Sequence, residues 1–383
     1  MAGPQLVLAL SQPPAHEGGA PGRCSVGLML GLVEHGISVR AVAAHGSEYP
    51  PEAVAKLPKP LQDRIEFVAI PPWAPTVSHQ LNRVRRPIGR LASGEFSARV
   101  RAVAAQADLL HLEQLETAWC ADDTSPPSVV HLHYRVQMDR RPPPPWRKDF
   151  RFFAERVLAE RLVTRRQQHL VASSPLVADS LRREHSGTDV VVAPLCLDPQ
   201  HYQPAPLPEP PVVGIIGTGW WPPTASAIRR LVTRTWPLIR ARRPDARLLV
   251  AGRGTADLGL PPAPGVEVLG SVHSGAEFIQ SLSALVYPLD RGSGMKVKVL
   301  EAIASGVPVV TTGPGAEGVA ASDGVIIRET DEQIANEASE LLSDVVARRE
   351  RGAAARATFL QNYAPAPATE PLVELYQRML RTG

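Results

Sequence analysis

The chain has little of what would place it outside a reducing compartment or inside a membrane. Its three cysteines, Cys24, Cys120 and Cys196, are odd in number, far apart and without a CxxC pair. They offer no disulfide framework and no cysteine zinc site, and a reducing compartment follows. No stretch approaches the ~18 apolar residues of a membrane span. The opening MAGPQLVLALSQPP has no positive n-region, and its apolar run of about six residues is short for a signal peptide. It reads as a buried strand, and a cytoplasmic protein is expected. Net charge is scarce as well. The 41 basic and 38 acidic residues leave +3, too little for nucleic acid, whose phosphates require a concentrated basic face.

What is present in quantity is proline, 39 residues, roughly twice common usage. The prolines fall between periodic segments and read as rigid loops. With abundant Ala and Arg and few Lys, they suggest a GC-rich bacterial genome. Apolar content of 44% and charged content of 21% are ordinary for a globular protein and argue against disorder. A length of 383 residues exceeds what one core serves, so two domains are expected. There is one local charge bias. From Arg135 to Arg166 the chain carries Arg140, Arg141, Arg147, Lys148, Arg151, Arg156, Arg161 and Arg165. These are either solvated helix and loop charges or a contact for an anionic acceptor or membrane surface.

Short apolar runs at Gln5–Leu10, Ser38–Ala43, Ile65–Ile70, Asp108–Leu112, Ser128–His133, His169–Ala172 and Asp189–Val192 read as buried strands. Helical segments lie between them. Cys24–His35 has apolar residues at 26, 29, 30 and 33, with Gly36 where a C-cap belongs. Pro175–Glu184 follows Ser173-Ser174, an N-cap before a first-turn proline. Strand alternating with helix predicts βαβ units and a mostly parallel sheet, an α/β fold. The segment His201–Pro211, HYQPAPLPEPP, has no periodicity and is the linker candidate. A second α/β series follows. Its strands are expected at Val212–Gly217, Leu248–Ala251, Val266–Leu269, Ala284–Leu289 and Val307–Thr311. Its helices are expected at Ala225–Ile239, Ala276–Ser283 and Lys296–Ser305. A last apolar stripe at 372, 373, 375, 376, 379 and 380 predicts a helix over Glu370–Leu380.

The most informative stretch is Arg291–Gly318, RGSGMKVKVLEAIASGVPVVTTGPGAEG. Gly292 and Gly294 free the backbone to curl around Ser293 and Met295, and the following helix N-terminus presents unpaired N–H groups, an anion site. Lys296 and Lys298 add two cations suited to a diphosphate. Glu301 lies three residues after Lys298, on the same helix face, and can accept hydrogen bonds from the two hydroxyls of a ribose. From the residues alone, an ordinary βα crossover with an exposed Lys–Glu pair fits equally well.

The run Lys298-Val299-Leu300-Glu301-Ala302-Ile303-Ala304-Ser305-Gly306-Val307-Pro308-Val309-Val310 resembles the nucleotide-binding motif of GT-B glycosyltransferases of the large retaining family 4. Gly217-Thr218-Gly219-Trp220-Trp221-Pro222-Pro223 resembles the family's GSxxWxPN turn, and Ala251-Gly252-Arg253-Gly254 its (V/A)GxG strand end. Gly270-Ser271-Val272-His273 resembles the loop whose backbone faces the base. In the first half, Gly18-Gly19-Ala20 resembles the acceptor-side glycine loop. Residues 108–113 and 129–133 resemble the two strands flanking the cleft. The resemblance spans nearly the whole chain, specifically in the C-terminal half and loosely in the N-terminal half. There is one departure: where the family often has a Glu eight residues before Glu301, which contacts the donor sugar in its familiar members, this chain has Ser293, and a subgroup of the family also lacks that Glu.

The resemblance implies two Rossmann-like domains facing each other across a cleft. The expected boundaries are 1–204 for acceptor binding, 212–365 for the nucleotide sugar, and 366–383 for a helix crossing back onto the first domain. It implies transfer from a nucleoside diphosphate sugar to a small-molecule or glycan acceptor, with retention. His133 would stand near the transferred sugar, with Lys296 and Lys298 stabilising the departing diphosphate. Gly217, Gly219, Arg253, Val272, the 292–295 turn and Glu301 would contact the donor. Gly18, Gly19, His111 and Glu113 would lie on the acceptor side. No cofactor or metal is expected, because no Asp-x-Asp follows a strand and Asp122-Asp123 sits in a Pro/Ser loop. Pro222 stands where GxGxxG needs a third small residue, which argues against NAD. A nucleotide-sugar epimerase and a non-catalytic nucleotide-sugar-binding protein are the alternatives.

Overall fold

The computed structural model describes residues 3–46, 56–70, 86–92, 94–185 and 187–382. The chain forms two compact units, Met1–Asp198 together with Pro365–Gly383, and Pro199–Ala364.

The first unit is built on seven strands, β1 Gln5–Leu10, β2 Ser38–His45, β3 Ile65–Ala69, β4 Leu109–Glu113, β5 Ser128–Leu132, β6 His169–Ala172 and β7 Asp189–Val192. Their order is β3-β2-β1-β4-β5-β6-β7, and every pair is parallel. Alternation along each strand feeds two cores. Val7, Leu110, Leu112, Val130 and Leu132 pack with Phe96 and Val100 on one face. Leu6, Leu8, Leu109 and Val129 pack with Val26, Met29 and Leu32 on the other. A sheet buried on both faces explains why its strands read as nearly continuous apolar runs.

The helix Pro365–Thr382 belongs to the second of these cores, through Leu372, Leu375, Tyr376 and Met379. It begins five residues before the expected Glu370, since Pro365 and Pro367 occupy a first turn, where an N–H would have no intrahelical acceptor anyway. The helix lies close against the helix Ala20–Glu34. A Cβ on Gly31 would sit 2.3 Å from the Pro365 carbonyl oxygen, so only glycine admits this approach.

The second unit has the order β10-β9-β8-β11-β12-β13, again all parallel. Its strands are β8 Val212–Ile216, β9 Arg247–Ala251, β10 Val266–Gly270, β11 Ala284–Tyr287, β12 Val309–Thr311 and β13 Val325–Ile327. β12 starts two residues later than expected, because Pro308 brings no N–H to a ladder; its carbonyl still accepts from Leu285 N at 2.9 Å. The expected single helix Ala225–Ile239 is instead Pro222–Arg230, a π turn over Leu231–Thr235, and Trp236–Arg242. Pro237 explains the break: it has no N–H to return to the preceding turn, and the Trp236 N–H reaches back to Leu231 O. The expected linker is also more than a linker. Tyr202 within it is buried and belongs to the second unit.

In both sheets the chain steps outward two strands from the first, then returns to its other side with the fourth. The strand ends of β1 and β4, and of β8 and β11, therefore diverge at a topological switch point, where ligands of open α/β sheets bind.

Candidate functional site

At the switch point of the second unit the loops after β8, β9 and β10 are knitted by backbone. Gly219 N donates to Arg253 O at 2.8 Å, and Gly252 N to Gly270 O at 2.7 Å. A Cβ on Gly219 would lie 2.2 Å from Gly254 O, which is why this turn is glycine-rich. Trp220 is left exposed, and the exposed Arg253 guanidinium stands 5.6 Å from its ring centre. Val272 follows β10, half-buried.

Opposite this turn, the segment Arg291–Lys296 leads from β11 into the helix Val297–Ala304. Gly294 has φ +67°, in the left-handed region, and Ser293, Gly294 and Met295 are buried. Lys296 folds the loop onto itself, its Nζ donating to Ser293 O at 3.0 Å and to Gly294 O. Lys298 Nζ donates to Thr224 Oγ1 at 3.0 Å and to Tyr287 OH at 3.4 Å, and stands 4.6 Å from the Tyr287 ring centre. It lies directly under the first glycine turn, where a Cβ on Gly217 would come within 2.6 Å of Nζ. The Lys296 N-cap makes no side-chain capping bond, so no such bond takes up the N–H groups of the first turn.

Glu301, on the same helix, is buried, and its Oε1 accepts from Tyr202 OH at 2.8 Å. Arg230 braces the loop from behind. It donates to Asp290 Oδ1 at 2.7 Å, to Asp331 Oδ1 at 2.8 Å and to Glu329 O at 2.8 Å. Burial alone would raise the Asp331 carboxyl, but the bonds from Arg230 and Thr235 hold it below its ordinary value. Tyr202, Thr224, Tyr287 and Arg230 carried no sequence signal of their own. Their roles come from partners 11 to 101 residues away.

In the first unit, strand alternation puts His111 and Glu113 of β4 beside His131 of β5 on one face, with Glu113 in register with His131. Glu113 Oε2 accepts from His111 Nε2 at 2.9 Å, and Oε1 accepts from His133 Nε2 at 2.5 Å. His131 Nδ1 lies 3.3 Å from Glu113 Oε2. His111 Nδ1 pairs with Tyr376 OH at 2.5 Å, and His133 Nδ1 with the Gln114 amide at 3.2 Å. Gln114 has φ +69°, a conformation rare outside glycine, and its Oε1 accepts from Ser11 Oγ at 3.2 Å across the switch point. Gly18 and Gly19 follow β1; Gly18 O accepts from Arg23, and Gly19 O from Gln12 Nε2 at 3.4 Å.

Burial alone would raise the Glu113 carboxyl, but the facing imidazoles of His131 and His133 and the bond from His111 hold it well below the usual carboxylate range. Burial pushes His131 down to about 4, against the attraction of Glu113. It also pushes the Tyr376 hydroxyl well up, so the phenol stays protonated. His111, Glu113 and His131 each bring a ligand atom within 4.8 Å of the others, close enough for a cation. Both Glu113 oxygens already stand within hydrogen-bond distance of ring nitrogens of His111 and His133.

The Arg-rich stretch divides. Arg135 is wholly buried against Glu160 at 3.1 Å and Glu184 at 2.8 Å, so it is no part of a surface patch. Arg156 pairs with Glu116 at 3.0 Å, while Arg141, Arg147, Lys148, Arg151, Arg161 and Arg165 are exposed. Among the described residues, no helix is long and apolar enough to cross a membrane.

Residues 210–344 match the family described as Glycosyl transferases group 1, which makes the second unit a glycosyltransferase domain. No curated protein matches the chain. The solved sucrose-phosphate synthase of Thermosynechococcus elongatus is similar at TM-score 0.72 and 15% identity, over 99% of this chain and 100% of that one. S. aureus TarM, in complex with Fondaparinux, alpha-GlcNAc-glycerol and UDP, is similar at 0.68 and 9% identity, over 97% and 99%. Anabaena HepE, in complex with UDP and glucose, is similar at 0.64 and 15% identity, over 97% and 99%. The fold is GT-B, with two Rossmann-like units.

Proposed function

We propose that the chain transfers a glycosyl group from a nucleoside diphosphate sugar to a hydroxyl or amine of a natural product or cell-surface glycan, with retention. The observation that carries this reading is the meeting, at one switch point, of Lys298, the Gly217–Gly219 turn and a helix N-terminus whose N-cap residue makes no side-chain capping bond. That arrangement supplies positive charge and N–H donors where a diphosphate would leave, and charge developing on a leaving group is what such groups stabilise. It lies within the segment that matches the glycosyltransferase family. Lys298 serves the leaving diphosphate directly. Lys296 holds the turn and adds its charge nearby. Glu301, steadied by Tyr202, is the ribose anchor. His133 and the Gly18–Gly19 loop serve the sugar and acceptor. The leaving phosphate helps accept the acceptor's proton in a front-face displacement.

A thermal-shift screen with UDP, GDP, TDP and ADP, then with their sugars, tests the reading. One nucleoside diphosphate is expected to raise the melting temperature, and its sugar to be transferred to an acceptor. Release of a free, isomerised sugar would identify an epimerase; binding without turnover on any acceptor would leave a nucleotide-sugar-binding protein. Because side chains and backbone meet the phosphate charge, turnover is expected to survive EDTA. A complete loss that Mg²⁺ restores would contradict that phosphate chemistry.

A further inference from the structure

The first unit contains a continuous line of hydrogen bonds that the transfer reaction alone does not explain. It starts on the last helix at Tyr376, whose hydroxyl pairs with His111 Nδ1 at 2.5 Å. It passes from His111 Nε2 to Glu113 Oε2 at 2.9 Å, and from Glu113 Oε1 to His133 Nε2 at 2.5 Å. It ends at the Gln114 amide, 3.2 Å from His133 Nδ1.

Hydrogen positions follow from what each partner is able to offer. An ionised carboxylate only accepts, so both imidazole nitrogens that face Glu113 carry protons. The opposite nitrogens are then acceptors in the neutral rings. Each meets a donor, the Tyr376 hydroxyl for His111 and the Gln114 N–H for His133. Gln114 is fixed in the donating orientation because its Oε1 already accepts from Ser11. Every member therefore requires the same assignment, and it propagates to one outcome: His133 is the Nε2–H tautomer. Its strand-end backbone is held as well, since His133 O accepts from Ser173 Oγ at 2.7 Å.

We infer that Glu113 is a positioning residue for His133. It holds the ring as the Nε2–H tautomer and thereby makes Nδ1 the ring's accepting nitrogen, the atom that would take a hydrogen bond from a substrate hydroxyl in place of Gln114. This rests on the reading of His133 as the residue at the transferred sugar. Gln114 sits in the left-handed region, and such strain in a non-glycine residue persists only where its surroundings hold it. Here a backbone bond to His131 O at 3.1 Å and the Ser11 contact do so, aiming the amide at Nδ1. Burial adds to the constraint: Glu113 is 2% exposed, so bulk solvent is kept from its lone pairs.

Ring ¹⁵N NMR of the full chain, with His133 assigned through His133→Asn, reads the tautomer without an assay of activity. A pyrrole-like Nε2 and a pyridine-like Nδ1 are expected. In Glu113→Gln the side-chain amide is able to accept from only one of the two rings, so mixed or reversed tautomers at His111 and His133 are expected. Turnover should fall about ten-fold, the scale of one misplaced hydrogen bond to the substrate, while KM for the nucleotide sugar stays within about two-fold, because its phosphate and ribose contacts are read in the other unit. A protonated Nδ1 in the native protein would overturn the inference. So would stoichiometric zinc found by elemental analysis, or a Glu113→Gln protein with unchanged His133 tautomer. Should no nucleotide sugar be turned over at all, the transfer reading fails, and the tautomer measurement still decides the positioning.

Discussion

Removing residues 366–383 is expected to abolish the cooperative melting of the first unit. Leu372, Leu375, Tyr376 and Met379 are each no more than 2% exposed, and burying such a side chain contributes about 1.5–3 kcal/mol. Four of them amount to about 6–12 kcal/mol, the size of a whole domain's stability. The loss is not confined to apolar area. Leu6, Leu8, Val26 and Met29 lose part of their cover, and His111 Nδ1 loses the Tyr376 hydroxyl. The second unit shares none of these contacts, so calorimetry should show its transition remaining, still shifted upward by nucleoside diphosphate. A truncated protein with full activity and unchanged melting would show that the helix contributes nothing.

Acid should weaken the first unit well above the pH at which carboxylates titrate. His131 is buried, and its pKa falls from the ordinary 6.5 to about 4 because burial disfavours the charged ring. In the unfolded chain it titrates near 6.5, so between 6.5 and 4 the unfolded state binds a proton that the folded state refuses. Stability then falls with pH across that window, by about 3 kcal/mol in total. The groups facing His131 do not reverse the sign. His111 and His133, whose ring centres stand 5.6 and 4.8 Å from its own, act with burial to lower its pKa further, and Glu113 is held well below its usual range and loses its own contribution only at lower pH. His185, also lowered by burial, acts in the same direction, so the comparison must be made with His131→Asn. Chemical denaturation from pH 7 to 4.5 should show a shallower decline in that variant. Identical slopes in the two proteins would rule out His131 as the source.

Much of this arrangement was legible in residues close in sequence. The alternation of apolar runs and helical stripes located most strands of both sheets, and the Lys298–Val310 run located the loop and helix of the second switch point. The T-x-x-Q signal at Thr330 and Gln333 is equally local: its capping box starts the helix Asp331–Ser343. What could not be read is long-range. Tyr202 lies in a proline-rich segment without period, and only the fold sets its hydroxyl on Glu301, 99 positions away. Arg135 looks like one more surface cation until Glu160 and Glu184 arrive from two later helices. His131 and Glu113 become neighbours through strand register, which no local pattern specifies. The π turn at Leu231–Thr235 is a different case, since Pro237 announced it and apolar periodicity masked it.

Titration calorimetry on the full chain asks whether the second unit binds a nucleoside diphosphate through Lys298 at its switch point. The native protein is titrated with the diphosphate that gives the largest thermal shift, beside Lys298→Ala. Lys298 is half-buried, and its Nζ bonds to side chains, Thr224 Oγ1 and Tyr287 OH, so the variant should stay folded, as circular dichroism would verify. Loss of one charge-assisted hydrogen bond predicts binding weaker by about 1.5–3 kcal/mol, roughly ten- to 150-fold in Kd. Equal affinity of the folded variant and the native protein for every nucleoside diphosphate would show that Lys298 is no part of a diphosphate site.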